Sequence, residues 1–267
     1  MQRVGIVIPT LNDVEALRRQ RRLDTADAVV IADASADAAI QAETHDLATS
    51  NGWTFVDCPR GRGVQMNCGA QAIDADVLLF LHADTLLPEG WRDCIEPTLQ
   101  RGEIGAFGFR LATDDRRGRV VEWLVRRRRR PYGDQALFLR RSTFERLGGY
   151  RAWPILEDAD LVKRAGKYAL ASLDVTTSAR HYERRGWLAS TIRNQRCLWA
   201  WRLGVSPQRI ARWREPLTDL QHQHGLSETS DPSRHPGVEA SRPRGTQAPA
   251  RRSPASEELE TLGPLSK

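Results

Sequence analysis

An apolar run closes on two polar residues. Val77-Leu78-Leu79-Phe80-Leu81 leads into His82-Ala83-Asp84-Thr85, and Pro88 follows shortly after. A buried parallel strand that opens onto a carboxylate puts that carboxylate at the carboxyl edge of an open α/β sheet, where ligands of such folds bind. Asp84 in that place could hold a hard divalent cation, which takes oxygen ligands, against a diphosphate. An aspartate that merely starts a turn is the alternative. Farther along, Ile155-Leu156-Glu157-Asp158-Ala159-Asp160 crowds acids at a helix start. One of them could act as a general base toward an attacking hydroxyl, or the acids could simply answer the helix dipole.

Three more segments carry polar groups at strand or helix ends. Ile8-Pro9-Thr10-Leu11-Asn12-Asp13 ends the first strand, where free amides could line a base or Asn12 or Asp13 could cap a helix. Ile31-Ala32-Asp33-Ala34-Ser35-Ala36-Asp37 ends the second. Capping falls more naturally to Ser35 or Asp37, which leaves Asp33 without an obvious structural task and free to accept from a base N–H or a ribose hydroxyl. In Arg60-Gly61-Arg62-Gly63 the glycines allow close backbone approach and a helix N-terminus follows, an arrangement that favours an anion. It is neither a dinucleotide fingerprint nor a Walker loop, because G-x-G-x-x-G and Gly-Lys-Ser/Thr are both missing.

The elements needed to position these residues are legible in the hydrophobic pattern. Strands are expected at 4–8, 28–32, 53–56 and 77–81, separated by helices at 13–23, 36–49 and 64–73 and followed by one at 89–100. This spacing leaves room for crossover helices, so the sheet is expected to be mainly parallel. The second half gives strands at 105–111, in a mixed sheet, and at 136–140 and 169–175. Its helices fall at 118–129, 142–147, 157–165, 187–203 and 207–213. From about residue 218 hydrophobic periodicity ends, and 218–267 is expected to be disordered because it cannot offset its ordering entropy.

The chain has 267 residues, 40% hydrophobic and 28% charged, enough for one α/β domain at 1–217 plus the tail. The net charge of +6, nearly all of it arginine, favours anionic partners: a nucleotide diphosphate, an anionic membrane surface or nucleic acid. The five arginines 126–130 read as a solvated helix face, or as neighbours of a diphosphate or a membrane. Trp187, Trp199, Trp201 and Trp213 read as core of the C-terminal helices, with sugar stacking or lipid contact as the alternative. Cys58, Cys68, Cys94 and Cys197 show no C-x-x-C spacing, so neither a zinc site nor a disulfide framework is expected. Met1 leads directly into a strand without a signal peptide, and no run reaches the roughly 18 apolar residues of a membrane span. A cytoplasmic location is expected, with peripheral contact at the inner face of the cell membrane left open.

Taken in order, Ile-Pro-Thr-Leu-Asn, Asp33-Ala-Ser, the Gly-Arg-Gly segment with its Asn67-Cys68-Gly69-Ala70, Leu-His-Ala-Asp-Thr, Gly-Asp-Gln, Leu-Gly-Gly-Tyr and Leu-Glu-Asp form a set. Over about residues 1–215 that set resembles the family 2 glycosyltransferases with a GT-A fold, in particular a small bacterial subgroup catalogued near radical-SAM and arsenosugar biosynthesis genes. The resemblance implies a Rossmann-like nucleotide-diphospho-sugar transferase fold with a mainly parallel sheet flanked by helices, C-terminal helices and the tail. It places Pro9, Thr10, Asn12, Asp33, Arg62 and Asp84 at the nucleotide sugar. Asp84 matches the second aspartate of the family's D-x-D motif and implies Mg²⁺ or Mn²⁺, whereas His82 stands at the first position. Asp158 matches the family's base, with Glu157 beside it. The later Q-x-x-R-W motif is absent, as Gln195-Arg196-Cys197-Leu198-Trp199 does not fit it. With no membrane helices, transfer of one sugar, with inversion, to an unknown small or lipid acceptor is implied.

Two other classes fit the sequence less well. A sugar-1-phosphate nucleotidyltransferase would carry a Gly-rich basic signature right after the first strand, and Ile-Pro-Thr-Leu-Asn-Asp is not one. A nucleic-acid-binding protein would need a basic face with stacking aromatics, but the arginines cluster near Pro131 and in the tail. Nucleic acid is therefore not expected as a partner.

Overall fold

The computed structural model describes residues 2–128 and 131–214. The expected boundary at 217/218 and the disorder of 218–267 lie outside them, as do Arg129 and Arg130.

Three apolar strands build the centre: β1 (Val4–Thr10), β2 (Ala28–Asp33) and β4 (Val77–Phe80). They are buried almost throughout because both faces of the sheet are covered, which explains why their sequences are continuous apolar runs. Successive side chains point to opposite faces. Ile6, Ile8, Leu79 and Leu81 enter one core with Leu17 and Trp91, while Val7, Leu78 and Phe80 enter the other with Met66, Phe144 and Leu161.

The first core is covered by α1 (Val14–Arg18), α2 (Ala38–Ser50), a 3₁₀ turn at Trp91–Cys94 and α4 (Ile95–Leu99). The second is covered by α3 (Arg62–Gln71), α6 (Arg141–Arg146) and α7 (Glu157–Ala165). The other strands are β3 (Thr54–Asp57), β5 (Thr85–Leu86), β6 (Ile104–Ala112), β7 (Leu137–Arg140) and β8 (Tyr168–Ser178). Helix α5 (Arg116–Arg128) follows β6, and α8 (Arg180–Arg185), α9 (Trp187–Arg202) and α10 (Pro207–Arg214) end the described chain.

The order β3-β2-β1-β4-β7-β6-β8-β5 makes one eight-stranded sheet. The four strands of the first half are parallel as expected. Beyond them the sheet is mixed, as expected for the second half: β7 runs antiparallel to both β4 and β6 and β5 antiparallel to β8, whereas β6 and β8 are parallel. Helix α5, which links β6 to β7, packs its Val121 with Phe109 and Leu111 at the far end of β6.

Helix α7 starts and ends where the sequence pattern placed it, and α9 differs by one residue at its end. The helix expected at 13–23 is only the short α1. The chain turns away at Gln20, whose side chain is buried, and Arg22 has φ 61°. The helix expected at 89–100 is broken into the 3₁₀ turn and α4, entered from Gly90 at φ 70°.

A second correction concerns the cysteines. Cys58 and Cys68 form a disulfide, with their Cα atoms 6.3 Å apart. Their separation of ten residues matches no metal or framework pattern, but the tight turn from β3 into α3 folds that span back on itself.

Candidate active site

The parallel strands end together. Thr10, Asp33 and Asp57 lie in register at the carboxyl ends of β1, β2 and β3. Asp33 is fully buried and does have a structural task, contrary to expectation. Its carboxylate accepts from Thr10 Oγ1 at 2.7 Å, Ser35 N at 3.0 Å and Ser35 Oγ at 2.9 Å. Asp37 caps α2, accepting from Ala39 N and Ile40 N. Ser35 Oγ also takes the backbone N–H of Asn12, at 2.9 Å, and Asn12 sits at φ 53°. Thr10 is buried, Pro9 partly so, and Asn12 is exposed at the mouth of this turn. Gln65 of α3 ties the two strand ends together by donating to the carbonyls of Thr10, at 2.7 Å, and Ala32, at 2.9 Å.

Beside this turn an acidic group gathers around Gly133. Its N–H donates to Asp158 Oδ2 at 2.6 Å, while Asp158 Oδ1 takes the N–H of Ala159 at 2.7 Å. A Cβ on Gly133 would stand 3.0 Å from His82 Nε2 and 3.2 Å from Asp158 Oδ2, so a side chain there would push these groups back by a few tenths of an ångström. His82 Nδ1 lies 3.0 Å from Asp134 Oδ1. The position where the D-x-D pattern has an acid is thus filled by an imidazole that meets a carboxylate from another segment.

Glu157 is buried and lies 3.5 Å from Arg62 Nη1, whose side chain is half exposed. The two adjacent acids therefore reach different partners. Burial, with Asp158 adding to it, holds the Glu157 carboxyl above its ordinary pKa, although Arg62 and His82 oppose the shift. Burial works against the charge of Arg62, but Glu157, Asp134, Asp158 and Asp84 outweigh it and raise the guanidinium pKa. All four carboxylates therefore act on one arginine. Tyr150 is buried in the same region, and burial followed by Asp158 and Glu157 pushes its phenol well above the ordinary range.

Asp84 is partly buried on a turn fixed from two sides. Gln20 Nε2 donates to the carbonyls of Ala83, at 2.6 Å, and Thr85, at 3.0 Å. Ser178 N donates to the carbonyl of Asp84 at 3.1 Å, and Thr85 Oγ1 meets Thr177 Oγ1 at 2.9 Å. Among the described residues the Asp84 carboxylate itself accepts no hydrogen bond and makes no ion pair. Burial, then Asp134 and Asp13, raise its pKa, while His82 and Arg180 oppose the rise.

No group of three or more His, Cys, Asp or Glu that could hold a metal by itself occurs among the described residues. The donor set fits a cation shared with a bound anion: one unpartnered carboxylate in acid-rich surroundings, not a closed cage.

The sequence reading named Asp84, Arg62, Glu157 and Asp158, and the fold brings them together. It gave no role to Gln20, Gln65, Gly133 or the His82–Asp134 pair. Asn67, part of the motif set, also gains a role here. Its side-chain amide grips both backbone groups of Tyr150, each at 2.8 Å, and so locks α3 to the loop before α7. Gln and Asn side chains bonded to distant backbone leave no periodic trace. Three of the four non-glycine residues at positive φ among those described, Asn12, Ala136 and Leu156, flank this site. Such conformations persist where the surrounding structure over-determines the backbone.

No protein-family model matches the chain, and no curated protein does. Among solved structures, S. aureus TarS 1-349 in complex with UDP-GlcNAc is similar at 12% identity and a TM-score of 0.47, over 66% of this chain and 58% of that one. A second structure of S. aureus TarS is similar at 12% identity and 0.46, over 66% of this chain and 36% of that one. The chain thus spans well under two thirds of either. Likeness at this level defines neither fold nor chemistry here.

Proposed function

We propose that the protein is an inverting glycosyltransferase that moves a single sugar from a nucleoside-diphosphate sugar to an acceptor hydroxyl or carboxyl. One observation carries this reading. Asp158, oriented by Gly133, stands in a group with Arg62, Glu157 and Asp84 beside the carboxyl ends of β1, β2 and β4, where open α/β sheets take their ligands.

In this reading the turn of Pro9, Thr10 and Asn12, with Asp33 behind it, receives the nucleotide. Arg62 faces the diphosphate with its half-exposed fork. Asp84 would hold Mg²⁺ or Mn²⁺ against that diphosphate, and the ion supplies charge neutralisation of the leaving group when bound. Both Asp158 oxygens keep a lone pair beyond the backbone N–H each accepts. Asp158 takes the proton of an acceptor hydroxyl as the acceptor oxygen bonds to the anomeric carbon. The bond from that carbon to the diphosphate oxygen breaks on the opposite face, which inverts the centre. Buried Glu157 positions Arg62.

The test is a thermal-shift series with UDP, GDP, dTDP and CDP, with and without Mn²⁺, on the protein and on Asp84→Ala. At least one nucleotide should raise Tm in a Mn²⁺-dependent manner, and Asp84→Ala should keep the fold and lose that dependence. If no nucleoside diphosphate stabilises the protein, the donor class is wrong. Unchanged Mn²⁺ dependence in the folded variant removes Asp84 from the metal.

A further inference from the structure

Helix α9 carries large apolar residues on its outer face as well as on its buried one. Leu188, Ile192, Trp199 and Leu203 are 73%, 49%, 59% and 80% exposed. With exposed Arg196 they follow at steps of 4, 4, 3 and 4, so they form one stripe of roughly 80° at 3.6 residues per turn. The buried side of the same helix carries Trp187, Ser190 and Leu198. Trp187 packs in one cluster with Val121 of α5, and α5 itself exposes Val120 and Trp123. Isolated exposed leucines are ordinary, but an aligned stripe of four large apolar side chains marks an interaction site.

The surroundings of the stripe are cationic. Residues 180–214 contain nine arginines and a single acid, Glu183. Residues 116–128 contain six arginines and a single acid, Glu122, which turns inward to accept from Leu111 N. Two exposed tryptophans lie under guanidinium groups: Arg202 stands 5.6 Å from the Trp199 ring and Arg127 5.1 Å from the Trp123 ring. The aromatic body and the charged head are thus offered together, the pairing that suits a bilayer interface, where the ring sits at headgroup level and the arginine reaches phosphate. Among the described residues no helix is long and apolar enough to cross a membrane, so contact through this face would be superficial.

We propose that the outer face of α9 docks the protein on an anionic phospholipid surface, with Leu188, Ile192, Trp199 and Leu203 entering the interface and Arg196 and Arg202 binding headgroup phosphates. Charge complementarity selects this occupant. A second copy would bring two arginine-rich faces together, and a nucleic acid would leave Leu188, Ile192 and Leu203 without apolar partners. The docking is independent of the reaction proposed above.

The test is flotation of the full chain with vesicles of phosphatidylglycerol in phosphatidylcholine, against pure phosphatidylcholine, near physiological ionic strength. One variant removes apolar contact, Ile192→Ser with Trp199→Ser; another reverses charge, Arg196→Glu with Arg202→Glu. Both alter exposed positions, and the melting transition of each is recorded. The protein should float with the anionic vesicles and not with the neutral ones, and each folded variant should bind about tenfold or more weakly. No flotation with phosphatidylglycerol overturns the proposal, as does equal binding to neutral vesicles or unchanged binding by a folded variant. A dimer in sedimentation that the apolar variant dissolves, with no vesicle binding, assigns the face to a second copy. Tight binding of a single-stranded oligonucleotide in place of vesicles assigns it to nucleic acid. Either result also overturns the proposal.

Discussion

The backbone N–H of Gly133 donates to Asp158 Oδ2 at 2.6 Å across 25 residues of sequence. This bond joins the turn before β7 to the first turn of α7. With the Ala159 N–H on the other oxygen it holds the carboxylate in one orientation. A base must be positioned before its basicity counts, and for the proposed base two backbone donors supply that positioning.

Asp158→Asn keeps the volume and removes the basicity. Nucleotide-dependent stabilisation should persist, while transfer to a hydroxyl acceptor falls about 10²–10⁴-fold, the usual contribution of a placed base. Near-normal transfer, or inactivity traced to lost donor binding, refutes the role. A product with retained anomeric configuration by NMR rules out single displacement.

Stability should follow pH in a direction set by Asp84 and Glu157. Burial is the first cause of the raised pKa at both, so the folded protein holds these protons more tightly than the unfolded chain. Their contribution is fully present below the ordinary carboxylate range and is lost as pH rises through the raised folded values. Asp84→Asn should therefore raise Tm relative to the parent at neutral pH, and the gain should shrink as pH falls toward that range. A gain that grows toward acid contradicts the assignment.

Gln20 supports Asp84 through the turn that carries it. Gln20→Leu deprives the carbonyls of Ala83 and Thr85 of their buried donor, at a cost of about 1–3 kcal/mol. The turn should loosen, so Mn²⁺-dependent nucleotide binding weakens while binding without metal changes less. Equal losses under both conditions would show a global effect only.

The Cys58–Cys68 bridge closes a short loop that contains Arg62. Loop-closure entropy assigns about 3 kcal/mol to a ring of this size. Reductant should lower the Tm of the parent protein and leave Cys58→Ala, already destabilised, unchanged. If both respond alike, the bridge does not contribute to stability in solution.

Short-range order was written in the chain itself. The apolar runs that become β1, β2 and β4, the acids and basic last turn of α7, and the polar residues at the ends of the parallel strands all follow from side-chain period and end chemistry, which act over a few residues. End chemistry thus marks Asp84, Arg62 and the adjacent acids Glu157 and Asp158, while the choice of Asp158 as base rests on the family resemblance. Tertiary structure decided what they meet. The antiparallel entry of β7 between β4 and β6 brings Gly133 and Asp134 to Asp158 and His82. The early departure of the chain from α1 puts Gln20 beneath Asp84. The turn into α3 joins two cysteines whose spacing matched no pattern, and Asp33, apparently spare in sequence, gains three hydrogen-bond donors. Packing also split the tryptophans expected in the core: Trp187 is buried and Trp201 partly so, whereas Trp199 and Trp213 face outward. A helix periodicity tells which residues share a side, but which side turns inward depends on the neighbour that covers it, and that neighbour is distant in sequence.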